Sequence, residues 1–214
     1  MPVKDVQATL YYFHDPMCSW CWGFSPVFNK LLNNLPENID VKRVLGGLAA
    51  DTSAAMPDDM KEYIKGNWKK IEEKIPGVKF NFEFWNKCQP RRSTYPACRA
   101  IIAARQQGQQ YDVQMTKAIQ HAYYKEARNP SDDETLIEIA SELQLDMKKF
   151  SVALNSDAVN QQLQEEINFS RGMFVETFPS LVLETGKSCP PILINYNNYR
   201  PMLESIENYF AGKK

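Results

Sequence analysis

The stretch Ala8-Thr9-Leu10-Tyr11-Tyr12-Phe13-His14-Asp15-Pro16-Met17-Cys18-Ser19-Trp20-Cys21-Trp22-Gly23 decides how this chain is read. Its first half is a strand candidate, Ala8 to His14. Leu10-Tyr11-Tyr12-Phe13 is continuously apolar or aromatic, the pattern of a strand covered on both faces. After the two cysteines the period becomes helical. Phe24, Val27, Phe28, Leu31, Leu32 and Leu35 fall on one apolar stripe. Pro26 inside the stripe predicts a kink, and Pro36 ends the helix. Ile39, Val41 and Val44-Leu45 then read as a second strand, closed by Gly46-Gly47. The opening is a βαβ unit with a dithiol at its strand-to-helix turn.

From about Asp51 the pattern is almost wholly helical. Met60, Tyr63, Ile64, Trp68, Ile71 and Ile75 make one stripe, stopped by Pro76-Gly77. Phe80, Phe82 and Phe84 alternate as in a short extended piece. Further stripes run through Ala97 to Ala104, Tyr111 to Ala122 and Leu136 to Leu143. Gly108 reads as a C-terminal stop. Asp146 and Ser156 read as N-caps of two more helices, the last ending near Gly172. Strand character returns in Leu181-Val182-Leu183, then a Thr185-Gly186-Lys187 turn and Ile192-Leu193-Ile194, together a β-hairpin. Pro190-Pro191 predicts an edge position or a late strand start for the second arm. A final helix carries Leu203, Ile206, Tyr209 and Phe210, with Pro201 near its first turn. The expected organisation is one α/β domain built from residues 1–50 and 173–214, interrupted by a helical insertion at 51–172. The two ends together make about 100 residues, the size of a small α/β domain.

The chain has 214 residues and 43% hydrophobic content, enough for a sizeable core. Its 25 basic and 26 acidic residues give a formal net charge of -1, which argues against nucleic acid or an anionic membrane as main partner. Apolar runs such as Val44 to Ala50 are far too short to span a bilayer. Met1 to Gln7 is polar and leaves no room for an apolar signal core, so a cytoplasmic protein is expected. In such a setting the five cysteines, Cys18, Cys21, Cys88, Cys98 and Cys189, do not read as a disulfide framework.

The pair Cys18 and Cys21 has a use. Cys18 falls at a helix N-terminus, where unpaired N–H groups and the helix dipole favour thiolate over thiol. Cys21 lies one turn inside, close enough to attack a mixed disulfide formed on Cys18. Cys18 is then the exposed nucleophile and Cys21 the shielded resolving thiol, with uncharged Ser19 and Trp20 between them. The same tetrad also serves as half a zinc site or as two inert buried thiols. A zinc site needs a second ligand pair, which Cys88, Cys98, His14 and His121 do not supply at the usual spacing.

The segment Tyr12 to Gly23 closely resembles the active-site segment of DsbA-family proteins, most of all the cytoplasmic FrnE-like branch described as predicted protein-disulfide isomerases. Ser93-Thr94-Tyr95-Pro96-Ala97-Cys98-Arg99-Ala100 and Phe174 to Leu183 resemble further segments of that branch. The resemblance implies an α/β, thioredoxin-like fold interrupted by an all-helical domain, and a thiol–disulfide oxidoreductase or isomerase. It implies catalytic Cys18 and Cys21, and a substrate-binding face formed by Ser19, Trp20, Phe178 and Pro179. Pro179 is expected in a cis peptide bond facing the dithiol, its neighbouring backbone pairing with substrate as an added strand. Phe178 departs from the small or β-branched residue common there. No metal or organic cofactor is implied, since the dithiol carries the electrons. Disulfide- or thiol-containing proteins or peptides are the implied partners, with glutathione a further one. A glutathione-dependent isomerase or transferase is the alternative, although such proteins usually carry serine where this chain has Cys18. A thiol-independent peptide-binding module is a third reading.

Several other residues have expected places. Trp20 and Trp22 form an apolar lip, or Trp22 packs on the sheet. Asp15 takes a turn or capping role, with proton transfer at Cys21 as the alternative. Cys98 is a buried small hydrophobe, or pairs with Cys88. Arg91, Arg92 and Arg99 lie on a solvated face or form an anion site, and His121 is on the surface.

Overall fold

The computed structural model describes residues 7–186 and 188–210. Its elements run in the order β1 (Ala8–His14), α1 (Ser19–Leu32), β2 (Ile39–Leu45), α2 (Asp58–Lys74), α3 (Phe84–Lys87), α4 (Tyr95–Arg105), α5 (Gln110–Lys125), α6 (Asp133–Glu142), α7 (Met147–Leu154), α8 (Asp157–Gly172), β3 (Ser180–Glu184), β4 (Pro191–Ile192) and α9 (Arg200–Phe210). The sheet order is β2-β1-β3-β4. β1 pairs parallel with β2 through α1, so the βαβ unit is present, and antiparallel with β3. Both faces of β1 are covered. Leu10 and Tyr12 pack with Phe24, Phe28 and Leu31 of α1 and with Met202 and Ile206 of α9. Tyr11 and Phe13 face the other way, toward Val44, Val175 and Val182, with Phe169 of α8 stacked on the Phe13 ring and tilted against that of Tyr11.

The helices α2 to α8 follow one another between β2 and β3. Their centre is α4, whose Ala97, Ala100, Ile101 and Ala104 are closed off from solvent beside Met115, Ile119, Leu136 and Leu163. Small residues there let neighbouring helices approach closely. Asp146 and Ser156 accept hydrogen bonds from the Lys149 and Val159 amides, the expected N-caps of α7 and α8. Gly47 has φ +59, and a Cβ on it would meet Ile167 at 2.4 Å. The turn after β2 therefore needs glycine both for its backbone and for the approach of α8.

Two readings of local structure differ. Phe80, Phe82 and Phe84 are not an extended strand. They wrap the fully buried Trp68, whose ring stacks on Phe80 at 4.8 Å, and Phe84 opens α3. The alternating aromatics serve an aromatic cluster rather than a pleat. The second hairpin arm keeps only Pro191 and Ile192 in strand form, at the sheet edge, and Leu193 beyond it is exposed. Pro191 has no N–H for the ladder, which shortens the arm. Lys187 of the turn and the Phe210 side chain lie outside the described residues. No described helix is long and apolar enough to cross a membrane.

Candidate active site

Pro16 and Met17 carry the chain from the end of β1 to the start of α1. Cys18 is the N-cap residue of α1, in extended conformation (φ -78, ψ 115), and its side chain makes no capping bond. Its amide donates to the Asp15 carbonyl at 3.1 Å and its carbonyl accepts from Trp22 at 3.1 Å, which fixes the turn. The first turn of α1 holds no acidic residue to compete for its N–H groups. The sulfur therefore sits at the positive end of a 14-residue helix.

The Cys18 thiol donates to the Phe178 carbonyl at 3.3 Å. The Phe178–Pro179 peptide bond is cis. The loop before β3 thus lies against the dithiol although 160 residues separate the partners. The Phe178 ring is accommodated by Gly46, where a Cβ would come within 1.9 Å of its Cζ. An aromatic ring fits here because residue 46 has no side chain.

All five cysteines are free thiols. Cys18 is 6% exposed rather than openly exposed, and Cys21 is wholly buried. The sliver of Cys18 opens on a cleft of about 310 Å³ that Ser19, Trp20, Thr177 and Phe178 also line. Pro179 lines an adjoining hollow with Trp20, Phe178 and Tyr196. Burial pushes the Cys21 thiol well up, as do its contact with Cys18 and the nearby Asp15 charge, while a backbone hydrogen bond from Asp15 offsets part of this. A thiol of this kind reacts only when a nearby electrophile, such as a mixed disulfide on Cys18, draws it out.

Trp20 leans on Tyr196 at 5.2 Å and lines the cleft. Trp22 does not. It stacks on Tyr124 of α5 at 5.6 Å, turned toward a separate cavity of about 820 Å³ between α1 and α5. The lip is therefore Trp20 alone, because residues two apart on a helix point to different sides. Arg99 is not on a solvated face. It is 7% exposed and clasps Asp51 with two bonds of 2.6 and 3.1 Å. Arg91 pairs with Asp132 at 2.7 Å, and both Arg91 and Arg92 line the Cys18 cleft. His121 is exposed and meets Glu126 at 3.1 Å.

Asp15, read from the sequence as a turn or capping residue with proton transfer at Cys21 as the alternative, is wholly buried and accepts four donors. Its Oδ1 takes the Met17 amide at 2.8 Å. Its Oδ2 takes the Leu48 amide at 2.7 Å, the Thr94 hydroxyl at 2.6 Å and the Cys98 thiol at 3.6 Å. Cys98 is thus more than a small hydrophobe. Cys88 instead donates to the Ala127 carbonyl at 3.1 Å, so the two thiols have separate partners rather than each other. Ser93-Thr94 was visible only as part of a segment resembling the family; that Thr94 reaches back to residue 15 was not.

A family model described as thioredoxin matches residues 11–200. The chain is 28% identical over 181 residues to the ClpXP adapter protein SpxH of Bacillus subtilis, covering 84% of this chain and 58% of SpxH. It therefore spans less than two thirds of the length of the curated relatives it matches. A candidate protein disulfide isomerase from Nitrosomonas europaea superposes with TM-score 0.84 at 24% identity, covering 97% of this chain and 100% of that one. The cytosolic disulfide reductase DsbM from Pseudomonas aeruginosa superposes with TM-score 0.71 at 20% identity, covering 95% and 96%, and has also been solved with GSH. The architecture is thus the DsbA-like form of the thioredoxin fold.

Proposed function

The chain belongs to the thioredoxin family, and from that premise we propose that it is a thiol–disulfide oxidoreductase or isomerase working through Cys18 and Cys21. One observation carries the reading: an uncapped Cys18 sulfur at a helix N-terminus, 3.3 Å from the Phe178 carbonyl and one helical turn from a buried second thiol. Cys18 as thiolate attacks a substrate disulfide, forming a Cys18–substrate bond and releasing one substrate thiolate. Cys21, deprotonated, attacks the Cys18 sulfur, forming the Cys18–Cys21 disulfide and releasing the second thiolate. Two electrons pass to the substrate, and a thiol pool of the glutathione class restores the dithiol. Run backwards, the same steps oxidise a substrate dithiol.

In this reading Ser19, Trp20, Phe178 and Pro179 form the substrate face. The strands with α1 and α9 form the thioredoxin-like domain, at 1–50 and 173–214, and 51–172 is a helical insertion. Substrates are protein, peptide or small-molecule disulfides, and glutathione is a partner; the GSH-bound structure of DsbM supports the last point. The likeness to cytosolic DsbM supports a cytoplasmic location. Insulin reduction together with equilibration of the pair in a glutathione buffer tests the reading. Wild type is expected to do both and Cys18→Ser neither; a Cys18→Ser variant as active as wild type would overturn it.

The similarity to SpxH supports a second reading, a protease adapter that presents a bound protein. An adapter needs a docking face and no electron transfer. Delivery of a client to the protease that survives Cys18→Ser and Cys21→Ser together would favour it.

A further inference from the structure

The cavity between α1 and α5 takes no part in the exchange steps. Its volume is about 820 Å³, within the range of small-molecule sites, and it shares no lining residue with the Cys18 cleft. Its wall is mostly apolar: Tyr12 of β1, Trp22, Phe28 and Leu32 of α1, and Val41 of β2. On α5, Val113, Thr116, Lys117 and Gln120 face it from one side of the helix, at the spacing of one stripe. The smaller polar groups of the wall are engaged. Thr116 donates to the Asp112 carbonyl at 2.8 Å and Ser25 to the Trp22 carbonyl at 2.9 Å. Gln120 is different. It is 4% exposed, and its side-chain amide makes no hydrogen bond among the described residues. The little surface it keeps lies in the cavity wall. An apolar side chain here would pack as well and leave no amide to desolvate. The charges beside the cavity, by contrast, are matched with one another. Arg43 pairs with Asp112 at 2.8 Å and lies over the Tyr12 ring. Glu126 and Glu142 pair with Arg128 at 3.1 and 3.0 Å, and Glu126 also meets His121. Lys117 stands exposed at the rim.

We propose that this cavity binds an uncharged, largely apolar small molecule that carries a carboxamide or lactam edge, read by Gln120. The Gln120 amide offers an acceptor and a donor side by side. A lactam or primary amide presents the same two groups in complementary order, so the two edges pair through two hydrogen bonds. The aromatic and branched side chains of the wall cover the rest of the molecule. A charged ligand would shed its water against walls whose own charges are already paired, with nothing at depth to compensate it. Neither thiol of the Cys18–Cys21 pair lines the cavity, so the proposal stands apart from the exchange reading.

The test is calorimetric titration of the full-length chain with three probes built on one ring system. Carbostyril carries the lactam edge, N-methylcarbostyril lacks its N–H, and quinaldate is an anion. Carbostyril is expected to bind one-to-one. Each of the other two should bind about tenfold more weakly, the worth of one hydrogen bond in a site poor in water. In Gln120→Leu the preference for carbostyril over its N-methyl form should vanish. That substitution removes no hydrogen bond within the protein, so the variant should fold like wild type. Val113→Trp, at an exposed residue of the rim, narrows the entrance with the amide intact and should cost carbostyril at least about tenfold. It keeps the test open if Gln120→Leu does not fold. No saturable binding of carbostyril, equal binding of quinaldate, or a lactam preference that survives in Gln120→Leu would overturn the proposal. Carbostyril binding unchanged in Val113→Trp would place the ligand elsewhere and overturn it as well.

Discussion

Replacing His14 with phenylalanine is expected to remove a large part of the chain's sensitivity to mild acid. His14 ends β1 opposite Leu45 and is wholly buried. Its ring lies parallel to Tyr12, 4.9 Å away at 6°, and neither ring nitrogen has a hydrogen-bond partner among the described residues. Burial, with Arg43 and Arg105 nearby, holds its imidazole well below the ordinary value of 6.5. The carboxylates that could compensate are already engaged: Asp112 pairs with Arg43 at 2.8 Å, and Glu166 pairs with Arg105 at 2.6 Å. In the unfolded chain the imidazole takes a proton as pH falls through 6.5, while in the folded chain it does not. The unfolded state then binds more protons, so the stability His14 allows is complete above 6.5 and is lost as pH falls toward its depressed folded value. Between about pH 7.5 and about pH 5.5 the loss works out at about 1.4 kcal/mol. Asp15, pushed up by burial, acts with the opposite sign just above its ordinary 3.8, but does so equally in both proteins. Phenylalanine keeps the ring contact and deletes two unpartnered nitrogens, so no hydrogen bond is lost at neutral pH. Urea unfolding followed by circular dichroism at the two pH values measures the difference. A variant that loses as much stability as wild type on acidification would refute the argument, because His14 would then be protonated in the folded state or solvated by the fold.

Cys21→Ala should accumulate covalent complexes with client proteins in cells, visible on non-reducing gels and released by dithiothreitol, whereas Cys18→Ala should accumulate none; equal trapping by both would reverse the assignment of nucleophile and resolver. Gly46→Ala should displace the Phe178 ring, costing about 1–3 kcal/mol of stability and slowing Cys18 alkylation by an altered cleft, and Gly46→Ala with Phe178→Val should recover part of both. Trp68→Ala should lower stability by about 3–5 kcal/mol in urea melts, since the ring is wholly buried among Phe80, Phe84, Tyr123 and Tyr124.

The fold was largely legible because its signals are local. The all-apolar Leu10 to Phe13, the helical stripe from Phe24 to Leu31 and the caps at Asp146 and Ser156 each announce their element within a few residues. Phe80 to Phe84 misled because alternation is the same whether aromatics line a pleat or surround one tryptophan. At the site, the place of Cys18 at the start of α1 with Cys21 one turn inside it could be read from spacing and helix position. The position of Phe178 rested on family resemblance, since no periodicity connects it to residue 18. Asp15 with Thr94 and Cys98, and Gly46 beneath Phe178, were beyond reach. Each is a contact between segments far apart in the chain, and a single sequence carries no signal for such pairings. His14 was visible as a histidine beside the tetrad, but its burial without partners is a property of the packed molecule.

The two borders of the sheet have a consequence for how this protein behaves among copies of itself. An open sheet edge is a template on which another chain can add a strand, and the site sits at one end of such a sheet. On one border the strand is two residues long and begins with Pro191, which cannot donate to an incoming backbone. On the other, β2 alternates Asp40, Lys42 and Arg43 among its apolar residues, and an incoming strand would have to desolvate them. Neither border offers a long, flat, apolar row. Concentrated solutions should therefore resist the edge-to-edge stacking that precedes cross-β aggregates.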